Sequence, residues 1–225
     1  MRYTTPPRTE SELVQRINAV SGKPLRYIAD QLDLDVPGDL LTNKGWIGQL
    51  LENYLVTSAG NNAEPDFQEI GIELKTIPLD RRGKPQESTY VTMANLLPDK
   101  TNDWETSLVR SKLKRVLWVP IEGDTSIPVA DRRIGSALLW SPSPEQELQL
   151  KQDWEEISEL IFQGKIDEAV SELGVYLQIR PKGMNARSLQ KTSDIDGSIH
   201  QTLPRGFYLR SSFTEMILAS YITSA

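Results

Sequence analysis

The stretch Gly71-Ile72-Glu73-Leu74-Lys75-Thr76-Ile77-Pro78 decides the fold of this chain. Its apolar and polar side chains alternate with a period of two, which predicts a β-strand that stops at the proline. Alternate side chains of a strand point to opposite faces. Ile72 and Leu74 are therefore expected in the core, and Glu73 and Lys75 together on the other face.

The sequence on either side of this strand predicts a mixture of helices and strands. A capping pattern at Thr9 begins the first helix, and Pro144 stands at the first helical position of a later one. The predicted helices span about 9–22, 25–32, 44–59 and 144–164 and begin again near 212; the predicted strands span 88–94, 116–121, 137–140, 175–180 and 207–210. This order predicts an α/β or α+β fold in which 116–121 is a central strand.

The composition of the 225 residues excludes several kinds of chemistry. The chain has no cysteine, so a thiol nucleophile, a disulfide and a zinc–cysteine site are ruled out. Its single histidine, His200, would have to carry any histidine-dependent reaction alone. The polar N-terminus and the lack of a long apolar stretch indicate neither an export signal nor a membrane span, and favour the cytoplasm.

The formal charge of −6 is unevenly distributed along the chain. Residues 145–172 hold nine acids and two bases, so this segment carries −7 and the remainder +1. Two basic runs contain no acid, and they comprise Arg110, Lys112, Lys114 and Arg115, and Arg180, Lys182, Arg187 and Lys191. They are either solvated faces or parts of a phosphate-binding surface from which the acidic segment faces away.

Two carboxylates and a lysine carry the candidate chemistry. Asp66 lies just before the predicted strand, where its carboxylate can converge on that of Glu73. Two converging carboxylates suit a hard divalent cation such as Mg²⁺, and the ammonium of Lys75 can hold an attacking water and offset negative charge on phosphorus. This pattern favours phosphodiester hydrolysis, and the alternative is an ordinary surface pair of Glu73 and Lys75. Glu52 is a weaker candidate for the same site, because a helical glutamate is usually solvated.

Six blocks of sequence, in order along nearly the whole chain, resemble the MutH family of strand-nicking endonucleases of methyl-directed DNA mismatch repair. They are Lys44-Gly45-Trp46-Ile47-Gly48, Pro65-Asp66-Phe67, residues 71–78, Trp104-Glu105-Thr106-Ser107, residues 112–118 and Leu203-Pro204-Arg205-Gly206-Phe207-Tyr208-Leu209. Together these blocks are far more specific than the carboxylate–lysine motif alone.

The resemblance implies a restriction-endonuclease-like fold, with a mixed sheet flanked by helices. The chain would be a single nuclease domain whose two lobes form a DNA-binding cleft, the catalytic lobe including about 40–120 and the DNA-reading lobe about 175–212. The implied reaction is Mg²⁺-dependent nicking of the unmethylated strand of hemimethylated GATC sites, 5′ to the G, with Mn²⁺ or Ca²⁺ able to substitute in binding. The implied partners are double-stranded DNA and MutL, which acts after MutS has found a mismatch, and the protein would be a cytoplasmic monomer.

The resemblance also assigns roles by position. Asp66 and Glu73 would bind the metal, Lys75 would help to activate water, and Glu52 and Lys112 would belong to the same active site. The residues that would contact DNA are Lys44, Gly45, Tyr90, Arg180, Pro181, Lys182 and Tyr208. Arg180, Pro181 and Tyr208 match the lobe that reads bases and senses adenine methylation. From the residues alone, Arg180 could equally contact phosphate and Tyr208 could lie in the core.

The sequence departs from the family pattern at three positions. Leu108 and Ser111 stand where the family carries histidines, and Tyr90 stands where it tends to carry phenylalanine. Two other functions remain open: a GATC-cutting restriction endonuclease, and a catalytically inactive DNA-binding adaptor. A single catalytic motif favours nicking over a double-strand cut, and intact catalytic positions count against the adaptor.

Overall fold

The computed structural model describes residues 2–58, 63–97, 103–165, 173–182, 189–193 and 196–222. The helices within these ranges are α1 (Glu10–Asn18), α2 (Leu25–Leu32), α3 (Trp46–Leu55), α4 (Leu108–Leu113), α5 (Pro144–Phe162) and α6 (Ser211–Ile222). The strands are β1 (Glu73–Leu79), β2 (Thr89–Met93), β3 (Val116–Glu122), β4 (Leu138–Trp140), β5 (Leu177–Pro181), β6 (Gln190–Ser193), β7 (Ile199–Thr202) and β8 (Arg205–Leu209). The mixed α/β class predicted from the sequence is confirmed.

The first of two compact units contains a small mixed sheet covered by helices. It comprises Met1–Glu87, Lys114–Ser141 and Tyr221–Ala225. The strand order is β1-β3-β4, with β1 parallel and β4 antiparallel to β3. Leu74 of β1 and Leu117 of β3 join Ile28 of α2 and Leu51 of α3 in one buried apolar cluster. β3 is therefore the central strand that its continuous apolar run predicted.

β1 runs through Pro78 to Leu79, so the predicted end of the strand at this proline is wrong. The N–H of Glu73 donates to the carbonyl of Arg115 at the start of β3 (3.0 Å). Backbone N–H groups alternate in direction along a strand, so the position of Pro78 faces the other edge, where the described residues place no further strand of this sheet. Proline at this position therefore removes no hydrogen bond from the sheet.

The second unit contains an antiparallel sheet with the order β2-β8-β5 and a separate hairpin, β6-β7. It comprises Ser88–Leu113 and Pro142–Ser220. Its long helix α5 begins with a capping box. The Ser143 hydroxyl accepts the N–H of Gln146 (3.2 Å), and the Gln146 side chain accepts the N–H of Ser143 (3.0 Å). Pro144 occupies the first turn, as predicted.

The predicted helices are found, although α1 ends at Asn18 and not near residue 22, and one further helix, α4, was not predicted. The Thr9 hydroxyl accepts the N–H of Glu12 (3.1 Å), which confirms the capping pattern of α1. α3 is shorter than the predicted 44–59, because Gly45 and Val56 adopt left-handed backbone conformations, with φ of 85° and 62°, at its two ends. α4 and the β6-β7 hairpin were not predicted, since segments of four to six residues carry too few side chains to show a period.

The unit boundaries divide the chain differently from the two predicted lobes. Residues 88–113 belong to the second unit, whereas the catalytic lobe was expected to include about 40–120. The arrangement of one nuclease domain with two lobes around DNA stays a prediction. Among the described helices, none is both long and apolar enough to cross a membrane.

Candidate active site and nucleic-acid interface

The Asp66 carboxylate lies against the peptide group that follows Glu73, at the open edge of β1. The loop between the two acids turns back at Gly71, whose φ of 64° suits glycine. The Asp66 carboxylate then accepts, through Oδ2, the N–H of Leu74 (2.8 Å), which belongs to the peptide that joins Leu74 to Glu73. Both acids are buried, with 8% of Asp66 and 2% of Glu73 exposed. The structure therefore places Asp66 against the backbone next to Glu73, and the convergence of the two carboxylates stays a prediction.

Lys75 lies on the same face of β1 as Glu73, as predicted. Its Nζ is 2.5 Å from Oε1 of Glu73, and both side chains are largely buried. Leu74, between them in sequence, joins the apolar cluster on the opposite face. The two residues thus form a buried ion pair and not the solvated surface pair that was the alternative interpretation. At low effective dielectric, such charges act strongly on a nearby phosphate.

Glu52 is half-buried on α3, which packs against β1. A Cβ added to Gly48 would lie 4.0 Å from Oε1 of Glu52, so these two residues share a helix stripe as predicted. Within the described parts of the chain, no three histidine or acidic side chains are close enough to hold a metal ion together. The candidate ligands are therefore Asp66 and Glu73, and the place of Glu52 in the same site stays a prediction.

The remaining predicted residues near α3 and α4 differ in exposure. Lys44 and Gly45 are exposed immediately before α3. Lys112 is 8% exposed on α4 of the second unit, whereas Leu108 and Ser111 on the same helix are exposed. The assignment of Lys112 to the active site stays a prediction.

One face of the β2-β8-β5 sheet brings together two tyrosines and two cations. Tyr90 and Tyr208 stand opposite each other, and their rings meet edge to face with centroids 5.4 Å apart. The Arg180 guanidinium lies 5.9 Å from the Tyr208 ring centre, and its Nη1 donates to the Ser88 hydroxyl (2.6 Å). Nζ of Lys182 lies 3.5 Å from the centre of the Tyr90 ring, and desolvation lowers the pKa of this ammonium. Cations held over aromatic rings suit contact with phosphates and bases.

Gln178 and Gly206 belong to the same face and were missed by the sequence analysis. Gln178 stands opposite Tyr208, and Gly206 stands opposite Arg180. A Cβ on Gly206 would lie 2.9 Å from Cε2 of Tyr90 and 3.3 Å from Cε2 of Tyr208, so glycine leaves room for both rings. Strand spacing could have identified both residues. Gln178 precedes Arg180 by two residues and Gly206 precedes Tyr208 by two, and residues two apart on a strand share a face. Pro181, also predicted to contact DNA, is exposed at the end of β5.

The acidic helix α5 packs on the opposite face of this sheet. Phe207 alternates with Tyr208 along β8 and lines a cavity together with Trp154 and Ile161 of α5. Within this unit, the acidic helix therefore faces away from Tyr208 and Arg180, as predicted. Residues 166–172 of the acidic segment and Arg187 of the second basic run lie outside the described residues.

Asp153, counted in the sequence among the solvated acids of α5, is instead 2% exposed. Its carboxylate accepts the N–H groups of Val175 (2.9 Å), Tyr176 (2.6 Å) and Leu177 (2.8 Å). Three consecutive amides around one carboxylate fix the start of β5, the strand that ends with Arg180 and Pro181.

The first basic run is not a row of free cations. Nε of Arg110 donates to Glu147 of α5 (2.7 Å), and Nη2 of Arg115 donates to Glu10 of α1 (2.7 Å). These hydrogen bonds raise the pKa of both guanidinium groups, and the one from Arg115 lowers the pKa of Glu10. Two cations of the run are thus engaged by carboxylates, so the run as a whole does not offer four charges to phosphate.

The chain is similar to a known family over almost its full length. A family model described as DNA mismatch repair enzyme MutH matches residues 55–153, which include Asp66, Glu73 and Lys75. The DNA mismatch repair protein MutH of Vibrio vulnificus (strain YJ016) is 48% identical over 218 residues, covering 97% of this chain and 96% of the relative. The protein of that name from Histophilus somni (strain 2336) is 47% identical, and the match covers 99% of this chain and 99% of the relative. The one from Shewanella baltica (strain OS185) is 49% identical, and the match covers 97% of this chain and 98% of the relative. The similarity confirms the resemblance carried by the six sequence blocks.

Proposed function

Because the chain belongs to the MutH family of DNA mismatch repair enzymes, we propose that it nicks the unmethylated strand of hemimethylated GATC sites, 5′ to the G, in a Mg²⁺-dependent reaction. The family makes the chain a DNA endonuclease, which confirms the predicted enzyme class, and the mixed α/β units are consistent with a restriction-endonuclease-like fold. The observation that carries the proposed chemistry is the buried Glu73–Lys75 pair beside Asp66.

The oxygen donors at the edge of β1 fit Mg²⁺. Carboxylates are hard ligands, and the Asp66 carboxylate is hydrogen-bonded to the backbone N–H of Leu74, the residue after Glu73. A carboxylate has two oxygens, so each can accept a hydrogen bond from the protein and offer the other oxygen to a cation. When bound, Mg²⁺ acidifies a water and stabilises the departing oxygen. Mn²⁺ or Ca²⁺ would bind the same oxygens.

Lys75 supplies the positive charge and the donors that phosphodiester hydrolysis needs. Its ammonium has three N–H donors, of which one is used by Oε1 of Glu73. The other donors can hold an attacking water and a non-bridging phosphate oxygen. Because Glu73 fixes the ammonium in a largely buried position, little reorganisation is needed when negative charge develops on the phosphate. Glu52 and Lys112 would complete the site as a further acid and a further cation.

The face that carries Arg180 and Tyr208 would read the recognition site. A guanidinium can donate two hydrogen bonds to guanine, and a good bidentate pair discriminates by about 1–3 kcal/mol. The Tyr208 ring, restrained by Tyr90, could exclude a methyl group on adenine N6. Lys182 and Pro181, beside these residues, would contact DNA, as would Lys44 and Gly45 before α3.

The relatives are named DNA mismatch repair proteins, which supports a role in mismatch repair over one in restriction. We therefore propose that the protein acts as a cytoplasmic monomer that MutL activates after MutS has found a mismatch. The buried pair of Glu73 and Lys75 counts against a catalytically inactive adaptor, since burying two charges is costly without a use for them.

The test is a nicking assay on a plasmid with one GATC site, in the presence of Mg²⁺ and MutL. Hemimethylated plasmid should be nicked in the unmethylated strand, and fully methylated plasmid should remain closed. Glu73→Gln should abolish nicking, whereas Glu69→Gln, an exposed acid in the same loop, should not. Nicking by Glu73→Gln at the parent rate would refute the site, and resistance of every GATC plasmid to the parent would refute the function.

A further inference from the structure

Gln178 on β5 is a polar side chain that stands opposite Tyr208 in the β2-β8-β5 sheet. Only 7% of the residue is exposed. A primary amide has two donors and two acceptor positions, so it can make a two-point contact with a ligand that arrives from outside the chain.

The position of Gln178 indicates what its amide can contact. It stands opposite Tyr208, and Tyr208 stands opposite Tyr90, so the three side chains form one row across the sheet. Arg180 follows two residues later on the same face. Gln178 therefore lies on the face proposed to read DNA, beside the Tyr90–Tyr208 pair and the guanidinium of Arg180.

We propose that Gln178 is a specificity-determining residue that reads the adenine of the recognition site, an inference that rests on the proposed function. A glutamine amide matches the major-groove edge of adenine, because its NH₂ can donate to N7 while its oxygen accepts from the N6 amino group. Arg180, on the same face, carries the complementary donor pair for guanine. The two side chains together present the donors and acceptor that a G-A step requires.

The same contact explains how methylation would be sensed. In a base-paired adenine, one N6 hydrogen is used by thymine and the other faces the major groove. A methyl group in place of that second hydrogen removes the donor to Oε1 of Gln178 and adds bulk beside the Tyr208 ring. The amide would then be left buried and unpaired, which penalises the methylated strand more than a lost contact alone.

The first test uses unmodified protein and changes one atom of the DNA. Replacing the adenine of the unmethylated strand by 7-deazaadenine removes the N7 acceptor and keeps N6. The nicking rate should fall roughly 5- to 150-fold, the range for one good base contact. An unchanged rate, with normal sites still nicked and full methylation still blocking, would overturn the role of Gln178 while leaving the proposed function standing. If normal sites are not nicked, the proposed function fails and this inference fails with it.

The second test asks whether Gln178 itself makes the contact. Gln178→Met, which keeps the length of the side chain, should nick normal DNA as slowly as the parent nicks deaza-substituted DNA, and should show no further loss on the substituted site. A merely structural glutamine would leave the variant as sensitive to 7-deazaadenine as the parent, and this result would overturn the inference. Gln201→Met, on an exposed position of β7, is the matched control and should retain the sensitivity of the parent.

Discussion

The carboxylate of Asp66 accepts the backbone N–H of Leu74 at 2.8 Å, on the edge of β1 that does not face β3. This hydrogen bond gives Asp66 a structural task in addition to the metal-binding one proposed for it, because it satisfies a buried amide and fixes the acid beside Glu73. The two tasks use different properties of the side chain, acceptance of a hydrogen bond and negative charge, so substitutions can separate them.

Asp66→Asn should abolish nicking while costing little stability, because an amide oxygen can still accept the N–H of Leu74. Asp66→Ala should abolish nicking and also lower the free energy of unfolding by about 1–3 kcal/mol, since it leaves that N–H buried and unsatisfied. Urea unfolding monitored by tryptophan fluorescence measures the difference. Equal stability of the two variants would show that the hydrogen bond to Leu74 contributes nothing.

Lys75→Met should both stop nicking and destabilise the first unit. The substitution leaves Glu73 buried without its cation, a loss for which about 3 kcal/mol is typical. Lys75→Arg keeps the charge and should retain most of the stability, but its planar guanidinium cannot place its donors as the ammonium does, so nicking should remain far below the parent. Thermal unfolding and the plasmid assay together check this, and parent-level nicking by Lys75→Met would exclude Lys75 from the chemistry.

The relation of Glu73 to Lys75 could be predicted because it is local. Strand geometry alone places residues two apart on one face, whatever the rest of the chain does. The end of β1 could not be predicted in the same way. Whether Pro78 breaks the strand depends on which edge of β1 is open, and that is decided by pairing with β3, some forty residues later in the sequence.

The sheet face that carries Tyr90, Tyr208 and Arg180 could not be predicted, because it is formed by strand pairing that no local pattern shows. Tyr90 meets Tyr208 only through the register of β2 and β8, which includes an irregularity between Tyr90 and Thr92. Asp153 was misassigned for a related reason, since its partners are backbone amides more than twenty residues away. A charged residue on a helix is usually solvated, and only the fold identifies this exception.

Asp153→Ala should be among the most destabilising changes to an acid in this chain. It removes the acceptor of three buried or half-buried amides at the start of β5, so the free energy of unfolding should fall by about 3 kcal/mol. Glu156→Ala, three residues along the same helix and exposed, is the control and should change it by less than about 0.5 kcal/mol. Similar unfolding midpoints for the two variants would contradict the assignment.

Asp124 should remain ionised in strongly acidic solution. The N–H of Ser126, the Arg81 guanidinium and the Ser126 hydroxyl lower its pKa to about 2, from the 3.8 typical of aspartate. Because the folded-state pKa lies below that of the unfolded chain, the carboxylate stabilises the fold above about pH 4. This contribution is lost as the pH falls towards 2. Carboxyl ¹³C chemical shifts recorded against pH measure the value, and Arg81→Ala should move the midpoint upwards.

Gly206→Ala should disturb reading of DNA without touching the carboxylates of the active site. The added methyl group would lie 2.9 Å from the Tyr90 ring and 3.3 Å from the Tyr208 ring, so at least one ring must move. We expect nicking of hemimethylated sites to slow by about tenfold and the preference over fully methylated sites to weaken, since one displaced base contact is worth about 1–3 kcal/mol. Gly38→Ala, where a Cβ meets nothing within 4 Å, should behave as the parent in both assays. Unchanged methylation preference in Gly206→Ala would show that the ring positions do not set the specificity.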